Sequence, residues 1–207
     1  RLSMKLTNLA VSTAALALLS VAPGALAQGS PSPAGVQPGE YKVEPYHTQV
    51  EFSVLHIGFT DFSGFFSGAS GSLRLDPAHP ADSKLVVTIP VNSALTTVPK
   101  LDEELKGAHW FDAAQFPTAT FTSTSITKTG PDTAEIRGDL TLHGVTRPIE
   151  LKARFIGAGV NPLDHGYTVG FAATGVIRRS EFGVKTYVPV VGDDVHLTIA
   201  GAFEKAR

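Results

Sequence analysis

An all-β antiparallel sandwich or barrel with one short helix is the fold class this sequence predicts, and three observations predict it. From Tyr41 onward the hydrophobic period is two: Val50, Phe52 and Val54 alternate with Glu51 and Ser53, and similar stretches recur down the chain. Clusters of Gly, Pro, Asn and Asp divide most of these stretches, as turns divide short strands. A single segment, within 96–117, changes to helical spacing.

The first residues stand apart. Met4 and Lys5 precede an apolar run from Leu9 to Val21, closed by Pro23-Gly24 and then Ala25-Leu26-Ala27. A positive start, an apolar centre and an Ala-x-Ala site predict a cleaved signal peptide over 1–27. The run is shorter than the ~20 apolar residues that a membrane span needs. Residues 1–3, ahead of Met4, read as a start-site artefact. Export predicts a periplasmic protein without a stable membrane anchor. "QGSPSPAGVQPGE", 28–40, has the composition of a flexible leader, and 41–207 form one domain.

Within the domain, alternation marks strands near 50–59, 62–75, 84–91, 118–126, 134–142, 149–156, 167–177 and 195–203. In "TTVPKLDEELKGAHWFDAAQFP", Pro99 suits a first helical turn, and acidic residues follow close behind it. Leu101 and Leu105 share a face, and Gly107 is placed to end the helix in a left-handed conformation. A lone helix in a β chain suits a lid or plug, with Trp110 and Phe111 supplying apolar contacts. "GDLTLHGVTRPIELKARF" (138–155) reads as a hairpin. Leu140 and Leu142 alternate on one side of it, Ile149 and Leu151 on the other. Gly144 supplies a positive φ, and Pro148 sits where a missing N–H costs little. His143, Thr146 and Arg147 then belong to the connection.

Bulk composition narrows the function. The chain has 207 residues, a net charge of -2 and 17% charged residues, so no basic bias points to nucleic acid. With no cysteine, thiol catalysis, disulfides and cysteine metal sites are excluded. Seven histidines are present, none in H-x-H, H-x-x-x-H or H-E-x-x-H spacing, so no metal site is expected. "SGASGS" is a turn rather than a nucleophile elbow. "GAGVNP" from Gly157 has Pro162 where a dinucleotide fold needs glycine. Asp193-Asp194 beside Gly192 has turn composition. No catalytic residues and no cofactor follow; elimination favours binding over catalysis.

Five stretches, in order, resemble the YceI-like family of lipocalin-fold periplasmic proteins: "YHTQVEFSVLHIGF", "FSGFFSGASGSL", "FDAAQFPTATFTST", "GDLTLHGVTRPIEL" and "IRRSEFGV". They run from Tyr46 to Val184, and the resemblance covers about 41–205. The resemblance implies an eight-stranded antiparallel lipocalin-like barrel that holds an isoprenoid lipid, a polyprenyl phosphate or a quinone, and it suggests a link to stress response. Such a barrel can be filled by side chains or hold one ligand. Its inward positions would include Phe52, Val54, Phe62, Phe66, Phe121, Ile136, Leu140, Phe171 and Ile177, with His56 at a strand end. Trp110 and Phe111 would gate the mouth. Arg179, in the family's loop pattern with Glu181 in place of Asp, would meet a head-group phosphate or pair with a carboxylate. Leu101 and Glu104 stand where the family has Arg and His, and Trp110 where it has Phe. Two rivals stay open: a self-packed barrel acting as an interaction module, and an enzyme using His56 or His109 as base. A homodimer is also left open.

Overall fold

Ten strands and one helix make up the computed structural model, which describes residues 29–206. The expected signal peptide lies outside the described residues. The strands are β1 (Gly39–Val43), β2 (Gln49–His56), β3 (Thr60–Phe66), β4 (Ser70–Leu75), β5 (Lys84–Pro90), β6 (Thr118–Lys128), β7 (Thr133–Leu142), β8 (Val145–Val160), β9 (Tyr167–Arg178) and β10 (Val191–Lys205), with α1 (Pro99–Lys106) between β5 and β6.

All pairings are antiparallel, and eight strands close a ring: β1, β4, β5, β6, β7, β8, β9 and β10, the last returning to β1 through Val43↔Phe203. β2 takes the same edge of β10 beyond β1, from Ala200↔Gln49 to Val191↔His56. β3 pairs with β2 as β4 pairs with β1. Thus β1 with β2, and β3 with β4, are two staves of the barrel, each broken once. Pro45 lies in the first break, and the Thr48 hydroxyl there accepts from the Ala202 N–H at 3.0 Å, keeping the edge paired. The second break corrects the single strand expected over 62–75. Gly68 takes a φ of 68° between Phe66 and Ser70, a conformation that a continuing strand cannot hold.

The chain between β5 and β6 bridges the free edge of β3 at one point, where Phe65 and Leu95 exchange backbone hydrogen bonds of 2.8 and 2.9 Å. Pro99 starts α1 and Leu105 is buried beneath it. Asp102, also buried, accepts from the Thr96 N–H and hydroxyl, both at 2.6 Å, which ties the helix to its own lead-in. Gly107 ends α1 at φ −72°, extended rather than left-handed as expected, because the chain turns away at once toward Trp110.

The hairpin between β7 and β8 is tighter than its sequence suggested. The loop is His143-Gly144 alone, at φ 52° and 72°, the backbone of a two-residue turn matched to strand twist. Thr141 and Thr146 face each other with hydroxyls 2.7 Å apart. His143 is held by Phe116, ring centroids 4.7 Å apart, and by the Phe182 carbonyl at 3.1 Å from Nδ1. It is a turn residue, as expected.

The expected flexible leader is a correction. Over 29–38 the chain docks on the barrel: Ser30 pairs with Ala158 through bonds of 2.8 and 3.0 Å, and Val36 is buried beside Tyr41 and Phe203. The Tyr41 hydroxyl donates to the Gln37 carbonyl at 2.6 Å, and Lys205 reaches the Gln37 side chain at 2.8 Å. Burial, with Tyr167 adjacent, pushes that hydroxyl up to about 12. Composition marked the segment as Pro- and Gly-rich; it is ordered because Gly157 and Gly159 offer a seat without side chains. A Cβ at either would stand 3.3 Å from the strap's backbone, so only small residues let it lie this close.

Candidate ligand-binding chamber

Register brings one residue from each of six neighbouring strands into a row across the inner wall. Ala134, Ala153, Ala173, Ile199, Val50 and Phe66 pair in succession from β7 round to β3. All six line an interior chamber of about 310 Å³. Three consecutive alanines leave the wall recessed where bulkier residues would meet across the axis. Above this row Ile136, Leu151 and Leu197 line the chamber, and on the opposite wall Phe121 stands between Val87 and Leu140.

The chamber is closed at one end and polar at the other. Its closed end lies under α1, where Phe52, Phe66 and Phe111 meet with centroids 5.3, 5.4 and 6.4 Å apart. Such tilted and edge-on contacts make a stable aromatic stopper. Above it Leu142, Ile177 and Phe182 form a buried cluster against which Phe111 packs. At the far end the wall reaches Asp76, Ser83, Lys128, Asp132 and Thr133, on the turns that follow β4 and β6. Pro33 and Val36 of the docked N-terminal strap complete the wall.

The sequence-predicted residues divide accordingly. Phe66, Phe121, Ile136, Leu140 and Phe171 line the chamber. Phe52, Val54, Phe62 and Ile177 share the inner face by register but sit level with or above the stopper. Phe111 is part of the stopper rather than a gate at the mouth, since α1 and the polar rim occupy opposite ends. Trp110 lies outside the chamber: its indole N–H donates to Glu104 at 3.2 Å, and its ring meets Tyr187 at 6.2 Å. His56 is exposed at the end of β2, and His109 edges a shallow cleft with Trp110 and Tyr187. Neither candidate base reaches the chamber.

Arg179 is a second correction. It is 5% exposed and its guanidinium is spent on the chain itself, donating to the carbonyls of Gly192, Val184 and Val191 at 2.8, 3.0 and 2.8 Å. Trp110 covers it at 5.3 Å. Burial lowers its affinity for the proton, with Asp193 opposing. It pins the loop between β9 and β10 and cannot reach a head group. The ion pairs expected of this loop fall instead to Arg178, which meets Glu181 at 3.7 Å and Asp193 at 3.1 Å.

Among the described residues Asp76, His79 and Asp82 bring possible metal-ligating atoms within 4.8 Å of one another. Asp76 already accepts the N–H groups of Ala78 and His79 at 3.0 and 2.9 Å, so the group serves as the frame of a turn. Sequence reasoning missed Ala134, Ala153, Ala173 and Ile199. The alternation that found Phe121 applies to them too, but alanine carries little signal for a wall.

A closed eight-stranded antiparallel barrel around an apolar chamber places this chain among lipocalin-like barrels. The model of the YceI-like domain matches residues 41–203, and the chain belongs to the YceI-like family. Protein YceI of Escherichia coli is 39% identical over 163 residues, which cover 78% of this chain and 84% of that protein. The crystal structure of BcnA from Burkholderia cenocepacia superposes with a TM-score of 0.70 at 25% identity, covering 77% of this chain and 98% of that one. A polyisoprenoid binding domain from Saccharophagus degradans gives 0.63 at 14% identity over 82% of this chain and 100% of that one, a likeness of fold.

Proposed function

We propose that this protein binds an isoprenoid lipid by its tail, and carries or sequesters it in the periplasm after export, without acting on it chemically. The observation that carries the reading is an inner wall that remains unfilled. Leu85, Val87, Ile89, Leu140 and Phe171 line the chamber, yet each keeps accessible surface, because no side chain crosses the axis to cover it. A self-packed barrel would bury all of them.

An unbranched or methyl-branched tail suits this wall. Burying the five carbons of one isoprene unit stabilises by up to ~4 kcal/mol at ~0.8 kcal/mol per CH₂-sized group, before ordering costs. A few units give tight binding with no polar contact. Family membership supports the reading, and so, at the level of fold, does the Saccharophagus degradans domain. No histidine lines the chamber, and its titratable groups, Asp76, Lys128 and Asp132, stand at the rim rather than along the tail.

The test is uptake from vesicles. Mature protein incubated with liposomes holding a labelled long-chain prenyl alcohol or quinone should co-elute with about one lipid per barrel on gel filtration. Phe121→Asp, which puts a carboxylate on the wall, should carry none. Wild-type protein that emerges free of label sinks the proposal.

A further inference from the structure

The chamber wall carries charge in one place. Asp76, Lys128 and Asp132 are its charged residues, and all three stand at the rim with Ser83 and Thr133. Two carboxylates therefore face one ammonium. Lys128 forms no ion pair among the described residues. The nearby cations do not redress the balance. Leu73, Leu75 and Leu85 line the chamber, so alternation sends Arg74 and Lys84 to the outer face, where Arg74 donates to the Asp82 carbonyl at 2.7 Å. His79 and Asp82 lie on the turn outside the wall, where the His79 ring meets the Asp76 carboxylate at 3.4 Å and Asp82 sets a further negative charge in the same group. The rim hydroxyls are engaged locally, Ser83 accepting from the Asp76 N–H at 2.9 Å and Thr133 meeting Thr129 at 3.1 Å.

A tail whose tip rests against the aromatic stopper leaves its head at this rim, the polar end of the chamber. We propose that the rim selects isoprenoids with an uncharged, hydrogen-bond-accepting head, a quinone or an alcohol, over polyprenyl phosphates of the same tail. This rests on the isoprenoid reading above and names the ligand class within it. Lys128 donates to the carbonyl or hydroxyl oxygen of such a head. A phosphate monoester brings about two negative charges. Against an excess carboxylate several ångströms away in a water-like medium, that disfavours it by about tenfold at low salt. Salt shortens the reach of the repulsion to ~3 Å at molar strength and should erase most of the difference. The turn that frames Asp76 helps to keep it ionised: the N–H of His79 holds its carboxyl below the usual range against a smaller opposing effect of burial, with the His79 ring and the Ala78 N–H adding to it.

Mature protein loaded with a displaceable apolar dye is titrated with geranylgeraniol, geranylgeranyl phosphate and a quinone bearing the same tail, at low and high salt. Wild type should prefer the alcohol and the quinone to the phosphate by about tenfold at low salt. Asp76→Asn with Asp132→Asn leaves Lys128 as the rim's one charge and should abolish or reverse that preference, and Lys128→Gln should widen it. Equal or tighter binding of the phosphate by wild type overturns the proposal, as does an unchanged ratio in the double variant while the alcohol still binds. Failure of all three compounds to displace the dye overturns the isoprenoid reading beneath it.

Discussion

Ala153→Phe separates an open chamber from a packed core in a single substitution. Ala153 stands in the recessed row between Ala134 and Ala173 and lines the chamber. In a core at native density, an added ring forces neighbours off their rotamers and costs ~1–3 kcal/mol. For a domain of this size, that lowers Tm by roughly 2–4 °C per kcal/mol. Here the ring points into an opening of about 310 Å³, so no neighbour needs to move. Its burial adds up to ~2 kcal/mol of stability instead.

The same ring obstructs the tail. Each displaced isoprene unit removes up to ~4 kcal/mol of burial, and ordering costs saved in return offset about half of that, so affinity should fall on the order of 30-fold. Calorimetric melting and dye-displacement titration on the same preparation read both quantities. Unchanged or raised Tm with lost binding is the expected pair. A lowered Tm with unchanged binding would refute the chamber and restore the self-packed barrel.

Three further outcomes follow from the same geometry. Arg179→Ala leaves the buried carbonyls of Gly192, Val184 and Val191 without their donor, and should cost ~3–5 kcal/mol in denaturant unfolding; Arg179→Lys should recover only part, lacking the planar fork. For Asp193, burial favours the neutral form, but hydrogen bonds from Ser180 and Arg178 outweigh it and hold the carboxyl low. A depressed folded value stabilises above the unfolded pKa of about 3.9 and is lost as pH falls through the folded value. Asp193→Asn should therefore lower Tm at neutral pH and flatten its acid decline; parallel curves for the two proteins would contradict this. Gly159→Val should lift the N-terminal strap from its seat. The signs are faster limited proteolysis within 29–38 and several-fold faster dye release, because Pro33 and Val36 form part of the wall.

Period-two alternation told which residues face inward, and Phe66, Phe121, Ile136, Leu140 and Phe171 were found that way. It could not tell height along the axis. Phe52, Val54, Phe62 and Ile177 have the right face but lie at or beyond the stopper, a distinction that only register across strands creates. The alanine row was invisible for the same reason: each alanine is unremarkable until Ala134, Ala153 and Ala173 are paired side by side. Arg179 read equally as a head-group contact or as a residue paired with a carboxylate to pin its loop; it pins the loop, but through three carbonyls rather than a carboxylate. The leader's composition concealed that "GAGVNP", rejected as a nucleotide loop, is the seat that orders it. Helix and aromatics together resemble a gate, whereas Phe111 packs there with Phe52 and Phe66, and the turns that form the polar rim at the other end carry no motif.

The most direct measurement of the central claim is native mass spectrometry, with organic extraction, on protein purified without detergent from the cells that make it. A stoichiometric adduct that extracts as an isoprenoid is the expected result, and the identity of its head group then tests the rim as well. A clean apo mass, with no uptake of offered quinones or prenyl alcohols, would contradict lipid carriage and leave the chamber without its proposed occupant.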